Sequence, residues 1–131
     1  MTEHNRITGK TTASGLVTVE CRGDVFLVTP KVDMGEFVVS QLGAETEEAL
    51  QQFQQSEKAR HIVIDLHHTD YVGSSALGLF LRLWKRVQER GGRMALCRLS
   101  DHEREVVKIM RLNEFWAICD SLDDALTTVH G

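Results

Sequence analysis

Two adjacent hydroxyls, Ser74 and Ser75, stand where the stretch DLHHTDYVGSSALGLFLRLWKRV (65–87) turns from an apolar run through a short polar segment into a strongly amphipathic one. That change of pattern predicts a helix starting at Gly73-Ser74-Ser75. The first backbone N–H groups of a helix have no intrahelical partner, and the helix dipole adds partial positive charge there. A hydroxyl at that point is a natural place for a phosphate. It is equally a natural cap: Ser74 as N-cap accepts a bond from an N–H two or three residues on and puts Ser75 on the first turn. Local chemistry leaves both uses open.

Other candidate chemistry is thinner. His67 and His68 invite a metal reading, but consecutive residues of an extended chain point to opposite faces, and no third ligand stands at a recognisable spacing. No metal site is expected. Gly73-Ser74-Ser75-Ala76-Leu77 differs from a G-x-S-x-G nucleophile elbow by its last residue. No histidine is spaced to argue for a base beside Ser75, and Asp123 and His130 lie about two turns apart on a final helix. There is no glycine-rich phosphate loop. The pattern therefore points away from an enzyme and requires no cofactor.

Composition narrows the class further. A chain of 131 residues with 42% hydrophobic and 26% charged residues suits one globular domain. Its formal charge of −4 gives no general attraction to nucleic acid or an anionic membrane, so a protein partner is the natural expectation. Cys21, Cys97 and Cys119 are odd in number, lack C-x-x-C spacing and sit in apolar runs, which reads as buried, reduced thiols in a cytoplasmic protein. The polar opening MTEHNRITGKTTASG lacks a signal-peptide core, and no apolar run approaches the roughly 20 residues of a membrane span.

The elements that must position Ser75 follow from periodicity. Residues 1–15 read as a flexible N-terminal arm and 16–131 as the domain. Leu16 to Cys21 and Val25 to Thr29 form a hairpin around Arg22-Gly23-Asp24, with Gly23 at positive φ and Pro30 ending the second strand. Asp33-Met34-Gly35-Glu36 has capping-box spacing and opens an amphipathic helix running to about Glu57. His61 to Leu66 is a buried strand. The helix from Ser75 presents Ala76, Leu77, Phe80, Leu83, Trp84 and Val87 inward and leaves Leu79 and Leu81 off the stripe, where an exposed leucine can anchor a partner. Gly91-Gly92 ends it, and Met94 to Arg98 is the next strand. Ser100-Asp101-His102-Glu103 caps a helix turning Val106, Val107 and Met110 inward until Asn113. Phe115 to Cys119 is the last strand, and Ser121 caps the last helix. The fold expected is α/β: a mixed central sheet of about five strands opening with a hairpin, with about four helices packed on it.

From IVIDLHHTDYVGSSALGLF to CDSLDDAL the sequence resembles the second half of a STAS domain, the anti-sigma factor antagonist family. In that family the strand ends in Asp-Ser-Ser/Thr-Gly followed by Leu-Gly, and the second hydroxyl of the pair is phosphorylated. Here Gly73-Ser74-Ser75-Ala76-Leu77-Gly78 stands in that place. The resemblance implies Ser75 as phosphoacceptor, with Ser74 the second choice, and a non-catalytic module that binds an ATP-binding, serine-kinase-type anti-sigma factor. Gly73 replaces the family's Asp and Ala76 its Gly; Asp70 can supply part of the missing charge. Val32-Asp33 resembles the Leu-Asp pair near the family's partner surface. The partner-binding set implied is Asp33, Asp70, Gly73, Ser74, Ser75, Ala76 and Leu79. The two replacements keep open a constitutive adaptor without phospho-regulation, and a small-molecule-sensing module remains a further alternative.

Overall fold

A computed structural model describes residues 10–11, 15–33 and 39–131, with the backbone alone at 10–11, 39–40, 42 and 74–75. Its centre is a six-stranded sheet whose spatial order is the order of the chain. Strand β1 (Lys10–Thr11) is only two residues long and pairs antiparallel with β2 (Val17–Arg22), setting Lys10 opposite Val19. It adds a short edge to the five strands expected. Strand β2 pairs antiparallel with β3 (Val25–Pro30) in a hairpin turning at Gly23, whose φ of 63° a residue free of a Cβ adopts without strain.

Every later strand is parallel to its predecessor: β4 (His61–Asp65) to β3, β5 (Met94–Cys97) to β4, and β6 (Ala117–Cys119) to β5. Parallel neighbours need crossovers, which are supplied by α1 (Val39–Gln55), α2 (Ser74–Glu89) and α3 (Asp101–Ile109), and α4 (Leu122–Thr128) follows β6. The helix expected from Asp33 is thus described from Val39; Met34, Gly35 and Glu36 of its capping box lie outside the described residues.

Strand alternation divides the core in two. Phe26, Val28, Ile62, Ile64 and Leu96 face Phe53 of α1 and Leu77, Phe80 and Val87 of α2. Val25, Leu27, Val63, Ala95 and Cys97 face the opposite side, closed by Ala125 of α4 and by Val129. All five residues of β4 are buried, as its β-branched run predicts for a strand covered on both faces.

The α2 to β5 connection shows why its two glycines are there. Gly91 stands at φ 70°, its N–H donates to the Gln88 carbonyl, and Gly92 N–H donates to the Val87 carbonyl at 2.9 Å. This is a Schellman cap. Gly92 then passes so close to strand β4's approach that a Cβ would lie 1.8 Å from the Arg60 carbonyl oxygen. Arg90 faces the other way, donating to the carbonyls of Gln54, Ser56 and Ala59 and lying 4.6 Å over the Phe53 ring, which fastens the end of α1.

Three local expectations change at the far edge. Helix α3 stops at Ile109, because Arg111 turns left-handed at φ 59°, so Met110 is half-exposed rather than inward. Leu112–Glu114 form a 3-10 turn, and the last strand starts at Ala117 instead of Phe115. The turn buries Trp116 and leaves Phe115 exposed. Trp84, expected inward, lies half-buried between the Phe115 and Trp116 rings.

Candidate functional site

The polar turn that opened the sequence analysis leaves the C-terminal end of β4 and enters α2. Asp65, 2% exposed, closes the strand. Arg98 Nε donates to its Oδ1 at 3.1 Å and Arg98 Nη2 to its Oδ2, while His67 Nδ1 lies 2.9 Å from Oδ1. Burial alone would raise the Asp65 carboxyl, but the bonds from Arg98 and His67 outweigh it and hold the group below its ordinary value. The same burial, with Asp65 beside it, pushes the Cys97 thiol up to about 12, so that cysteine is an inert core residue.

Residues 66–73 are gripped from two directions. Asp33, exposed just beyond β3, accepts from the backbone N–H of Asp70 at 2.8 Å and of Tyr71 at 3.3 Å. Its carboxylate therefore caps this loop, a use that spacing to Glu36 did not suggest. From the other side, the capping box of α3 reaches over. Ser100 Oγ accepts from Glu103 N–H at 3.1 Å and donates to the Asp70 carbonyl at 2.8 Å. Glu103 Oε1 accepts from Ser100 N–H at 2.9 Å, and Oε2 lies 2.5 Å from Thr69 Oγ1.

Glu103 is fully buried, and burial raises its carboxyl against the bonds from Thr69 and Ser100 that lower it. As a neutral acid it can donate to Thr69 Oγ1, freeing the Thr69 proton for the Leu66 carbonyl at 3.2 Å. The exposed rim of the loop is also braced, since the Tyr71 ring stacks on His102 with centroids 5.0 Å apart and planes at 20°.

Helix α2 begins at Ser74, and its N-cap is Gly73 in extended geometry (φ −89°, ψ 167°) with no side-chain cap bond. The reading of Ser74 as N-cap is corrected: the chain already turns helical there, and both serines occupy the first turn. The first intrahelical bond runs from Leu77 N–H to the Gly73 carbonyl at 3.2 Å. Helical geometry leaves the N–H groups of Ser74, Ser75 and Ala76 without intrahelical acceptors. The other expected site residues divide. Asp33 and Asp70 are exposed and joined by hydrogen bonding, and Gly73 is half-exposed. Ala76 is fully buried, and Leu79 is half-buried against the core, whereas Leu81 is 41% exposed.

Sequence reasoning missed Tyr71, Ser100 and His102 as parts of this site, and the buried Thr69 and Glu103 as its supports. The S-x-x-E spacing was visible, but only as a cap. His67 and His68 lie in a turn, not an extended chain, so their rings meet at 3.8 Å instead of diverging.

Among the described residues, one group of possible metal ligands occurs, Asp24, His61 and His130, at the opposite end of the sheet. Its hydrogen bonds argue for an ion pair. His130 Nδ1 faces the Leu126 carbonyl at 2.8 Å and its Nε2 faces Asp24 Oδ1 at 2.6 Å, two acceptors that favour the doubly protonated ring and, with the bond to Asp24 first, raise its pKa. His61 Nδ1 accepts from Arg93 N–H at 3.0 Å, which puts that ring's proton on Nε2. Neither Nε2 offers a metal a lone pair.

A mixed sheet with three helical crossovers and a serine-bearing first turn after its central strand defines a known domain class. Residues 17–125 match the STAS domain family, and the chain belongs to it. It is 32% identical over 88 residues to BtrV of Bordetella bronchiseptica, assigned as an anti-sigma factor antagonist, across 67% of this chain and 76% of that protein. A STAS domain protein from Planctomyces limnophilus superposes with a TM-score of 0.74 at 26% identity, covering 88% of this chain and 98% of that one. SpoIIAA, an anti-sigma factor antagonist of Bacillus solved in unphosphorylated and phosphorylated forms, shares the fold. In its unphosphorylated form it gives a TM-score of 0.68 at 19% identity over 88% of this chain and 96% of its own. Among the described residues no helix is long and apolar enough to cross a membrane.

Proposed function

We propose that the protein is a non-catalytic cytoplasmic signalling module, an anti-sigma factor antagonist that works by partner switching under control of phosphate on Ser75. The observation that carries this reading is the first turn of α2, where an N-cap glycine supplies no side-chain acceptor and a pair of hydroxyl residues follows at once. A phosphate there adds about −1.5 to −2 charge at the positive end of a helix, so the fold tolerates it. The partner meets that charge at its interface. Desolvating it, or opposing it to partner carboxylates, weakens binding by a few kcal/mol.

The partner is an anti-sigma factor of the ATP-binding serine-kinase type, docking on Asp33, Asp70 and the Gly73 to Ser75 turn, with Leu79 at its edge; Ala76, expected in this set, is buried beneath the turn and offers no surface. Support comes from the similarity to BtrV and from SpoIIAA being known with and without its phosphate. Ala76 fills core space, so its replacement of the family's glycine acts through packing beneath the turn.

A constitutive adaptor is the second reading, favoured by Gly73, which leaves the turn without the family's acidic neighbour. The small-molecule reading calls for a pocket near the Ser75 loop; among the described residues the apolar cavity under α2 between Val17, Val28, Glu45, Leu79 and Phe80 measures about 20 Å³, space for roughly one water, while the larger concavities, about 390 and 280 Å³, lie at the other end of the sheet beside Arg60 and Arg93. Lysate capture with wild-type, Ser75→Ala and Ser75→Asp baits decides between the first two. Retention of an ATP-binding kinase-like protein by wild type and Ala but not Asp, with phosphate on Ser75 by mass spectrometry, supports the switch. Equal capture by all three, with Ser75 unmodified, leaves the adaptor.

A further inference from the structure

The loop entering α2 is anchored on α3 by more than a helix cap requires. A capping-box glutamate needs one oxygen for the N-cap amide, and such residues ordinarily sit at solvent-facing helix ends. Glu103 spends its other oxygen inward on Thr69 Oγ1 and has no exposed surface at all. Burying a carboxyl group is unfavourable unless its bonds are made, so the residue carries a cost that an exposed glutamate at the same position would avoid.

What it obtains is a fixed point close to the switch surface. From Thr69 only residues 70–73 lead to the start of α2, and Ser100 Oγ holds the Asp70 carbonyl within that span. With Asp33 bonded to the Asp70 and Tyr71 amides, the same peptide units are held on both sides. Displacement of α3's first turn therefore reaches Ser74 through a handful of torsions.

We propose that Glu103 is a positioning residue for partner binding: acting through Thr69, it presets the Asp70–Tyr71 backbone and the first turn of α2 in the arrangement the partner recognises. The proposal rests on the partner-switching reading of the Ser75 surface. Preorganisation of this kind raises affinity by removing ordering costs at docking, so its loss shows in binding more than in melting.

The test compares Glu103→Ala, Thr69→Val and Glu103→Gln with Val107→Ala, a core truncation on the same helix that supplies the effect of destabilisation alone. Amide exchange at Asp70 and Tyr71 is read by NMR, and affinity is measured for the ATP-binding protein captured by the wild type. Glu103→Ala and Thr69→Val are expected to speed exchange at those two amides about tenfold beyond Val107→Ala at matched melting temperature, and to weaken binding by about tenfold. Glu103→Gln, which can donate to Thr69 and accept from Ser100, restores both. Exchange and affinity that track melting temperature equally in all variants overturn the proposal. If the wild type captures no ATP-binding partner, the partner-switching reading fails by itself, and wild-type exchange at the two amides in Glu103→Ala would overturn the positioning role as well.

Discussion

Asp24 Oδ1 and His130 Nε2 lie 2.6 Å apart although 106 positions separate them in the chain. The pair ties the tail of α4 to the β2–β3 hairpin, with the His61 ring edge-on to His130 at 5.1 Å. The two histidines are driven in opposite directions. The bond to Asp24 raises His130 above its ordinary 6.5, while desolvation lowers His61 despite the Asp24 charge, with Arg60, Arg93 and His130 lowering it further. His130 therefore contributes stability that is complete below about pH 6.5 and fades as pH rises through its folded value. His61 does the reverse: its neutral form contributes above about pH 6.5 and that contribution is lost in acid. Urea midpoints from pH 5 to 9 should show Asp24→Asn losing most relative to wild type at pH 5 to 6, with the difference shrinking as pH rises through neutrality to the alkaline side. A constant difference across that range would refute the ion pair.

The Asp65–Arg98 pair should behave as a buried carboxylate with a partly exposed partner. Arg98→Met removes two charge-assisted hydrogen bonds from a group 2% exposed, at a cost of roughly 1.5–3 kcal/mol. Because the Asp65 carboxyl is held below its ordinary 3.8, this contribution is present above that pH and disappears in stronger acid. Chemical denaturation followed from pH 7 down to pH 2 traces the loss.

Glycine substitutions should separate backbone need from its absence. Gly92→Ala drives a Cβ into the Arg60 carbonyl and should destabilise by about 1–3 kcal/mol. Gly78 sits mid-helix on the exposed side of α2 with nothing within 4 Å of an added Cβ, so Gly78→Ala should stabilise by roughly 0.5–1 kcal/mol. Thermal melts of the two variants check the signs.

Core truncations on α2 should rank by burial. Phe80, 4% exposed and 6.4 Å from the Trp116 ring, should cost about 3–5 kcal/mol as alanine, enough to unfold a marginally stable domain. Trp84→Ala should cost less, since its ring already meets solvent at the edge beside Phe115. Far-UV circular dichroism with urea titration distinguishes a folded Trp84 variant from an unfolded Phe80 one.

The sheet and its helices were legible because their signals are local. HIVIDL has the β-branched density of a doubly covered strand, Gly91-Gly92 marks a left-handed stop, and Ser100 with Glu103 marks a start. Errors fell where local preference met tertiary demand. Phe115 and Trp116 both read as strand, but burying Trp116 rotates the chain through a 3-10 turn and exposes Phe115. Met110 fits the helical stripe by spacing, yet the left-handed Arg111 ends the helix first.

The serine turn was legible for the same reason, while its supports were not. Asp33 and Tyr71 meet across 38 positions, and Thr69 and Glu103 across 34. No periodicity within either segment encodes such a meeting. Ser74 has a side chain able to cap, but the extended geometry of Gly73 already fills that role.

A sheet laid down in chain order has a consequence for how the protein comes into being. Each parallel strand docks beside one already synthesised, so during translation the nascent chain can grow its sheet by accretion, from the hairpin outward, with no strand waiting for a later one to be inserted between its neighbours. His130 arrives after the last of them and reaches back to the first hairpin. Its contact with Asp24 is a closing stitch, absent from every shorter chain that stops before it.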